Sequence, residues 1–102
     1  MIVEVADFRV SPDQHAVFGE VLTRGMATVL SKAKGYRAHR ILGCIETPGR
    51  YLLTIEWETL EDHTEGFRHS PAFGEWRAII GPYFVQPPQV EHFRVVDAQD
   101  PA

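Results

Sequence analysis

A Pro-Gly turn at residues 47–50, "TPGR", interrupts two runs rich in β-branched and aromatic residues, "YRAHRILGCIE" before it and "YLLTIEWE" after it. A connection this short joins antiparallel neighbours, because parallel strands need a crossover of about a dozen residues or more. The turn therefore commits the middle of the chain to a β-hairpin, and the remaining elements must be arranged around it. The second run alternates strictly, with Tyr51, Leu53, Ile55 and Trp57 on one side and Leu52, Thr54, Glu56 and Glu58 on the other. One face of the hairpin must then be covered by helices.

The flanking segments supply the cover. "MIVEVADFRV" has no helical period and reads as a strand over residues 2–10. In "SPDQ", Ser11 is placed to cap a helix, Pro12 suits its first position and Gln14 completes a capping box. Phe18, Leu22, Met26, Val29 and Ala33 recur every three or four residues, joined by Val17 and Val21. This spacing predicts a helix to Lys34, ended by Gly35 in the left-handed conformation. Thr59 with Asp62 starts a short helix, Ser70-Pro71 restarts it, and Gly81-Pro82 closes it. "QVEHFRVV" is a fourth strand, and residues 97–102, "DAQDPA", form a polar tail expected to fray. The order β-α-β-β-α-β predicts one α+β domain over residues 1–102. It is a ferredoxin-like, four-stranded antiparallel sheet with helices on one face.

The second face of such a sheet should be polar, yet the strands place apolar residues on both sides. Ile2, Ala6 and Phe8 oppose Val3 and Val5 in the first strand, and Leu42 and Cys44 oppose Ile41 and Ile45 in the second. A half-apolar outer face points to self-association as a homodimer, although scattered exposed apolar residues are also common on monomers. A net charge of −4 with scattered basic residues argues against a nucleic-acid partner. No apolar run approaches the roughly 20 residues that cross a bilayer, and no leader is visible. A single cysteine, Cys44, suits a reducing compartment. The expectation is a soluble cytoplasmic protein.

Five histidines invite a metal reading. However, His63 and His69 fall on different sides of a helix, and no His-Glu-x-x-His, cysteine pair or carboxylate triad is spelled out, so no metal is expected. Nicotinamide and flavin fingerprints and a Gly-x-Ser-x-Gly elbow are also lacking. Three residues remain as candidates. Trp57 ends the apolar row of the third strand, His63 borders an apolar stripe between Leu60 and Phe67, and Arg77 borders the stripe of Phe73, Trp76 and Ile80. A cation and a titratable imidazole flanking an indole could hold a phenolic or enolic ligand. Each also has a plainer reading: Trp57 as core, His63 as a solvated neighbour of Glu61, Asp62 and Glu65, and Arg77 as a surface side chain lying over apolar groups.

The strand ending in Trp57-Glu58, the short helix, "FRHSPAF" and "PPQVEHF" together resemble the antibiotic biosynthesis monooxygenase family of the dimeric α+β barrel superfamily. The resemblance is clear over residues 51–96 and weaker over 1–50. It implies a homodimer whose sheets share a barrel-like core, with a pocket between sheet and helices in each unit. It also implies oxidation of a small aromatic phenol or hydroquinone by O₂, without metal or flavin. The family's pocket Asn and Trp, helical Tyr and later Arg fall here on Leu53, Trp57, His63 and Arg77. Two match, while Leu53 replaces the Asn and His63 the Tyr. Where the haem-degrading branch has its axial His, this chain has Arg77 or Trp76. Phe67 stands where the quinol-oxidising branch has a His. On this reading His63 is the base, Arg77 steadies the oxyanion, Trp57 is the wall on which the ring stacks, and Leu53, Phe67, Phe73 and Trp76 line the substrate pocket. The departure at Leu53 also leaves room for a non-catalytic ligand-binding or stress-response dimer.

Overall fold

The computed structural model describes residues 1–99. Strands β1 (Ile2–Arg9), β2 (Tyr36–Gly43), β3 (Arg50–Trp57) and β4 (Gln89–Arg94) form an antiparallel sheet in the order β2-β3-β1-β4. Helices α1 (His15–Thr28) and α2 (Pro71–Ile80) cover one face. This is the ferredoxin-like arrangement that the sequence predicts. The sheet is open in the single chain, with β2 and β4 as its edges.

The alternation of β3 is realised fully: Tyr51, Leu53, Ile55 and Trp57 are all buried toward the helices. Phe18, Leu22 and Met26 of α1 and Trp76 and Ile80 of α2 complete the core with them. In β1 the buried residues are Glu4, Ala6 and Phe8, followed by Val10 just beyond its end. Register forces this, since Glu4 lies directly opposite Ile55 on one side and His92 on the other. A carboxylate is thereby fixed in the covered face. The outer face carries Val3, Val5, Leu52, Leu42 and Phe93, the last two exposed at 45% and 49%. Polar residues divide these apolar ones, among them Asp7, which receives hydrogen bonds from Arg50 at 2.9 and 3.3 Å.

Three local expectations are corrected. The Ser11 capping box does not form, because Ser11 Oγ donates to the Asp13 carboxylate; Pro12–Gln14 is a single 3-10 turn and α1 begins at His15. Helix α1 stops at Thr28 rather than Lys34. Val29 leaves helical geometry (φ −122°, ψ −66°), and a 3-10 turn over Leu30–Lys32 buries Leu30 in the core. Gly35 does adopt positive φ (87°), but it leads into β2 instead of capping α1. By contrast, the Thr59 hydroxyl accepts the Asp62 N–H at 3.1 Å, and Pro71 opens α2 after an extended Ser70.

Gly49 closes the hairpin with φ 89°, and a Cβ there would lie 2.3 Å from the Val10 carbonyl oxygen. Gly49→Ala is expected to lower unfolding free energy by about 1–3 kcal/mol. Gly74→Ala, on the open side of α2 with nothing within 4 Å of its Cβ position, should raise it by about 0.5–1 kcal/mol. Urea denaturation of the two variants checks both signs.

Candidate functional site

The turn between β3 and α2 sets the site. Asp62–Phe67 forms a π-helical segment, in which Arg68 N–H bonds back to the His63 carbonyl at 3.0 Å. Widened turns of this kind allow a local side-chain placement that a regular helix would not, and they recur at functional sites. Here both His63 and Phe67 turn inward and are buried. The imidazole of His63 lies nearly parallel to the Trp57 indole, with centroids 5.3 Å apart and an 18° tilt, and 6.4 Å from the Phe67 ring.

Glu4 binds this stack to the sheet. Its Oε1 accepts the Trp57 indole N–H at 2.9 Å and lies 3.4 Å from His63 Nε2. His63 Nδ1 lies 2.7 Å from His92 Nε2 on β4. Glu4 and His63 are 6% and 4% exposed, whereas His92 is only half-buried. Burial, helped by the Arg68 charge and His92, lowers the pKa of His63 to about 3, so its imidazole is neutral at pH 7. The approach of Nε2 to Glu4 is therefore a contact between a neutral ring and a carboxyl group, not an ion pair. Burial raises the pKa of Glu4, against the opposing pull of the Trp57 hydrogen bond and Arg68. Burial and Arg68 also lower that of His92.

Beside the cluster opens a cavity of about 750 Å³ between the sheet, α2 and the segment leading to β4. Ala6, Phe8 and Leu53 form its floor, and Phe67, Phe73, Trp76 and Phe84 its aromatic walls. Ala6 pairs with Leu53 and Val90 across the sheet, and its small side chain leaves the floor low. The charged or titratable groups at the cavity are Glu4, His63, Arg68 and Arg77. Arg77 is held at the rim by its own helix: Phe73 lies one turn earlier, and the guanidinium carbon sits 5.9 Å from the ring centroids of both Phe73 and Phe84.

Of the residues singled out in the sequence, His63, Arg77, Leu53, Phe67, Phe73 and Trp76 meet at this one cavity. Trp57 does not. It is wholly buried, one face is taken by His63 and its N–H by Glu4, so it backs the imidazole and offers no face to a bound ring. His63 is enclosed, which excludes the solvated alternative. Glu4, Arg68 and His92 were not anticipated. The available signal was a lone carboxylate in the row Ile2, Glu4, Ala6, Phe8 and a histidine following Val90 on the same face of β4. Among the described residues no three ligating side chains are arranged to hold a metal ion.

The family model of antibiotic biosynthesis monooxygenase matches residues 1–79, so the match takes in the amino-terminal half as well. The chain belongs to that family. A Bacillus subtilis (strain 168) protein of uncharacterised function, YczJ, is 48% identical over 73 residues, covering 72% of this chain and 77% of its own. A Bordetella bronchiseptica protein whose name assigns it provisionally to the same monooxygenases has a crystal structure with TM-score 0.86 and 36% identity, covering 93% of this chain and 96% of its own. A Nitrosomonas europaea protein with a similar provisional name shares the fold at TM-score 0.77 and 18% identity, over 95% of this chain and all of its own.

The lowered pKa of His63 has a consequence for stability. A base that binds protons less readily when folded contributes fully above its ordinary value of 6.5, and loses that contribution as pH falls toward about 3. His92 acts in the same direction. Glu4 opposes them, because its raised pKa makes the folded state relatively more stable as the carboxyl takes up a proton. Urea titrations across this window should show stability falling with acid in the native chain. His63→Gln should flatten the slope, so that the acid-dependent loss avoided by the acid end is on the order of a few kcal/mol.

Proposed function

We propose that this chain is a cofactor-independent monooxygenase that oxidises a small aromatic phenol or hydroquinone with O₂, acting as a homodimer. The observation that carries this reading is an aromatic-walled cavity with two arginines at it and a buried Glu4–His63 pair at its inner end. Triplet O₂ reacts slowly with closed-shell organics, but a phenolate can itself donate the first electron. The protein need only favour the anion and hold it in an apolar enclosure. In the overall conversion a ring C–H and the phenolic O–H are lost as a second C=O forms. One atom of O₂ enters the ring, the other leaves as water with those two hydrogens, and the substrate supplies all four electrons that reduce O₂.

Arg77 steadies the developing phenolate oxygen, with Arg68 adding positive potential. Phe67, Phe73 and Trp76 hold the ring, and Leu53 presses on it from the floor. His63 takes part in removing the phenolic proton as one member of a cluster. With a pKa near 3 its own proton affinity is too low for it to act alone. Trp57 orients the imidazole and does not stack on the substrate. A second reading, a ligand-binding dimer without turnover, is favoured by Leu53, which cannot hydrogen-bond a substrate oxygen where the resemblance implies an Asn.

Oxygen uptake with a panel of naphthols, dihydroxynaphthalenes and anthrone tests the choice. Turnover with about one O₂ consumed per quinone formed, reduced roughly 100-fold in Arg77→Gln, is expected for the enzyme. Tight binding without O₂ consumption establishes the binder instead.

The dimer would pair the outer sheet faces, where Leu42, Leu52, Val3, Val5 and Phe93 lie. Replacing Phe93 by Glu should weaken dimerisation at least about tenfold, equivalent to roughly 1.4 kcal/mol. Sedimentation equilibrium would measure it.

A further inference from the structure

Glu4 is the single carboxylate among the described residues lining the cavity. Its Oε1 is committed to the Trp57 N–H, with His63 Nε2 beyond. Its Oε2 has no hydrogen-bond partner among the described residues. Among the described residues no fully enclosed side-chain oxygen is left without a partner, so Oε2 is not sealed off, and Glu4 lines the cavity. From the same carboxyl group a line of ring nitrogens leads away from the cavity. His63 Nε2 is 3.4 Å from Oε1, and His63 Nδ1 is 2.7 Å from Nε2 of His92. His92 does not line the cavity and, as a half-buried residue, is the most exposed of Glu4, His63 and His92.

We propose that Glu4, rather than His63, accepts the phenolic proton, and that His63 and His92 pass it to solvent. This rests on the phenolic ligand class assigned above and names the acceptor and the exit path. The ligand O–H gives its proton to Glu4 Oε2, leaving phenolate and carboxylic acid. A half-turn of the carboxyl group exchanges its two oxygens, and its proton then passes to His63 Nε2 while the proton on His63 Nδ1 moves to His92 Nε2. His92 then sheds a proton to water. Charge and proton count balance at each transfer, and no electron moves. The 3.4 Å gap exceeds a formed hydrogen bond by a few tenths of an ångström and has to tighten on binding, as such contacts do when a ligand excludes water.

The groups facing the carboxyl fit the task. Arg68 and Arg77 bring positive charge to the same cavity and offset two negative charges there only in part. A phenolate and a Glu4 carboxylate side by side in a largely apolar space repel, so the pair keeps one shared proton until oxidation removes the phenolate charge. Only then does that proton leave through His63 and His92; a probe that is not oxidised holds it.

The test needs no oxygen chemistry, so it stands or falls separately from the monooxygenase reading. The intact protein is mixed anaerobically with 4-nitrophenolate in weakly buffered solution at about pH 8, with a pH indicator recording proton uptake and the nitrophenolate band recording binding. The native chain should take up about one proton per probe bound, and Glu4→Gln, which keeps the acceptor for Trp57, should take up none. Glu4→Asp should restore uptake. His92→Phe should leave the amount of uptake unchanged but slow it about tenfold or more, with added imidazole restoring the rate. If Glu4 serves only to anchor Trp57, Glu4→Gln will take up as much as the native chain, and the proposal is overturned. It is also overturned if the native chain takes up no proton or does not bind the probe. An unchanged rate in His92→Phe removes the exit path. Near-ultraviolet circular dichroism of each variant separates a lost proton acceptor from a lost fold.

Discussion

A carboxyl group buried in the apolar face of a sheet costs free energy unless something answers it. Much of this molecule's local architecture answers Glu4. The Trp57 indole N–H donates to it at 2.9 Å from the neighbouring strand, where the pleat brings both side chains to the same face. That bond fixes the indole plane, the His63 ring lies against the plane, and the π-helical turn that carries His63 is seated in consequence. Remove the carboxyl and the tryptophan loses its buried acceptor, while the imidazole loses one of its two polar neighbours. The cluster is thus a structural joint between β1, β3, β4 and the turn before α2, and a chemically poised group at the end of a cavity.

The cavity exists because the helices do not cover the sheet evenly. Phe18 of α1 packs against Tyr51 of β3 and Phe8 of β1, and Leu22 and Met26 join the same close-packed core. Toward β4 the small side chain of Ala6 and the shortness of α2 leave the space uncovered. Aromatic rings at its sides and Arg77 at its rim turn that gap into an enclosure suited to a flat, acidic organic molecule. Its apolar walls strengthen every charge interaction inside it, which is why two arginines and one carboxyl group would govern the ionisation of the phenolic ligand proposed for it.

The relatives agree with this reading at the level of family and fold, and the site residues set this chain apart from the pattern its resemblance implies. The resemblance implies a hydrogen-bonding side chain where Leu53 stands on β3 and a phenolic group where the His63 imidazole stands on the following turn. In this chain the floor of the cavity is apolar at Leu53, and Glu4 and His63 lie together at its inner end.

Much of the fold was legible in the residues because it rests on local rules. The Pro-Gly turn commits its flanks to an antiparallel hairpin, the strict alternation of residues 51–57 marks the covered face, and Ser70-Pro71 announces α2. His63 and Arg77 could be marked as borderline residues on apolar stripes from spacing alone. Spacing could not show that Trp57 is sealed behind His63, that Val29 ends α1 early so that Leu30 can enter the core, or that Ser11 prefers Asp13 to its own helix. Nor could it bring together Glu4, His63 and His92. They lie on three elements far apart in sequence, and only the strand order β2-β3-β1-β4, which sets β1 between β3 and β4, puts their side chains in contact. Local pattern determined which elements form and which face each one buries. Long-range pairing decided which polar groups share one enclosed space, and with it their ionisation, because burial and neighbouring charge are properties of the assembled fold and of no single stretch of the chain.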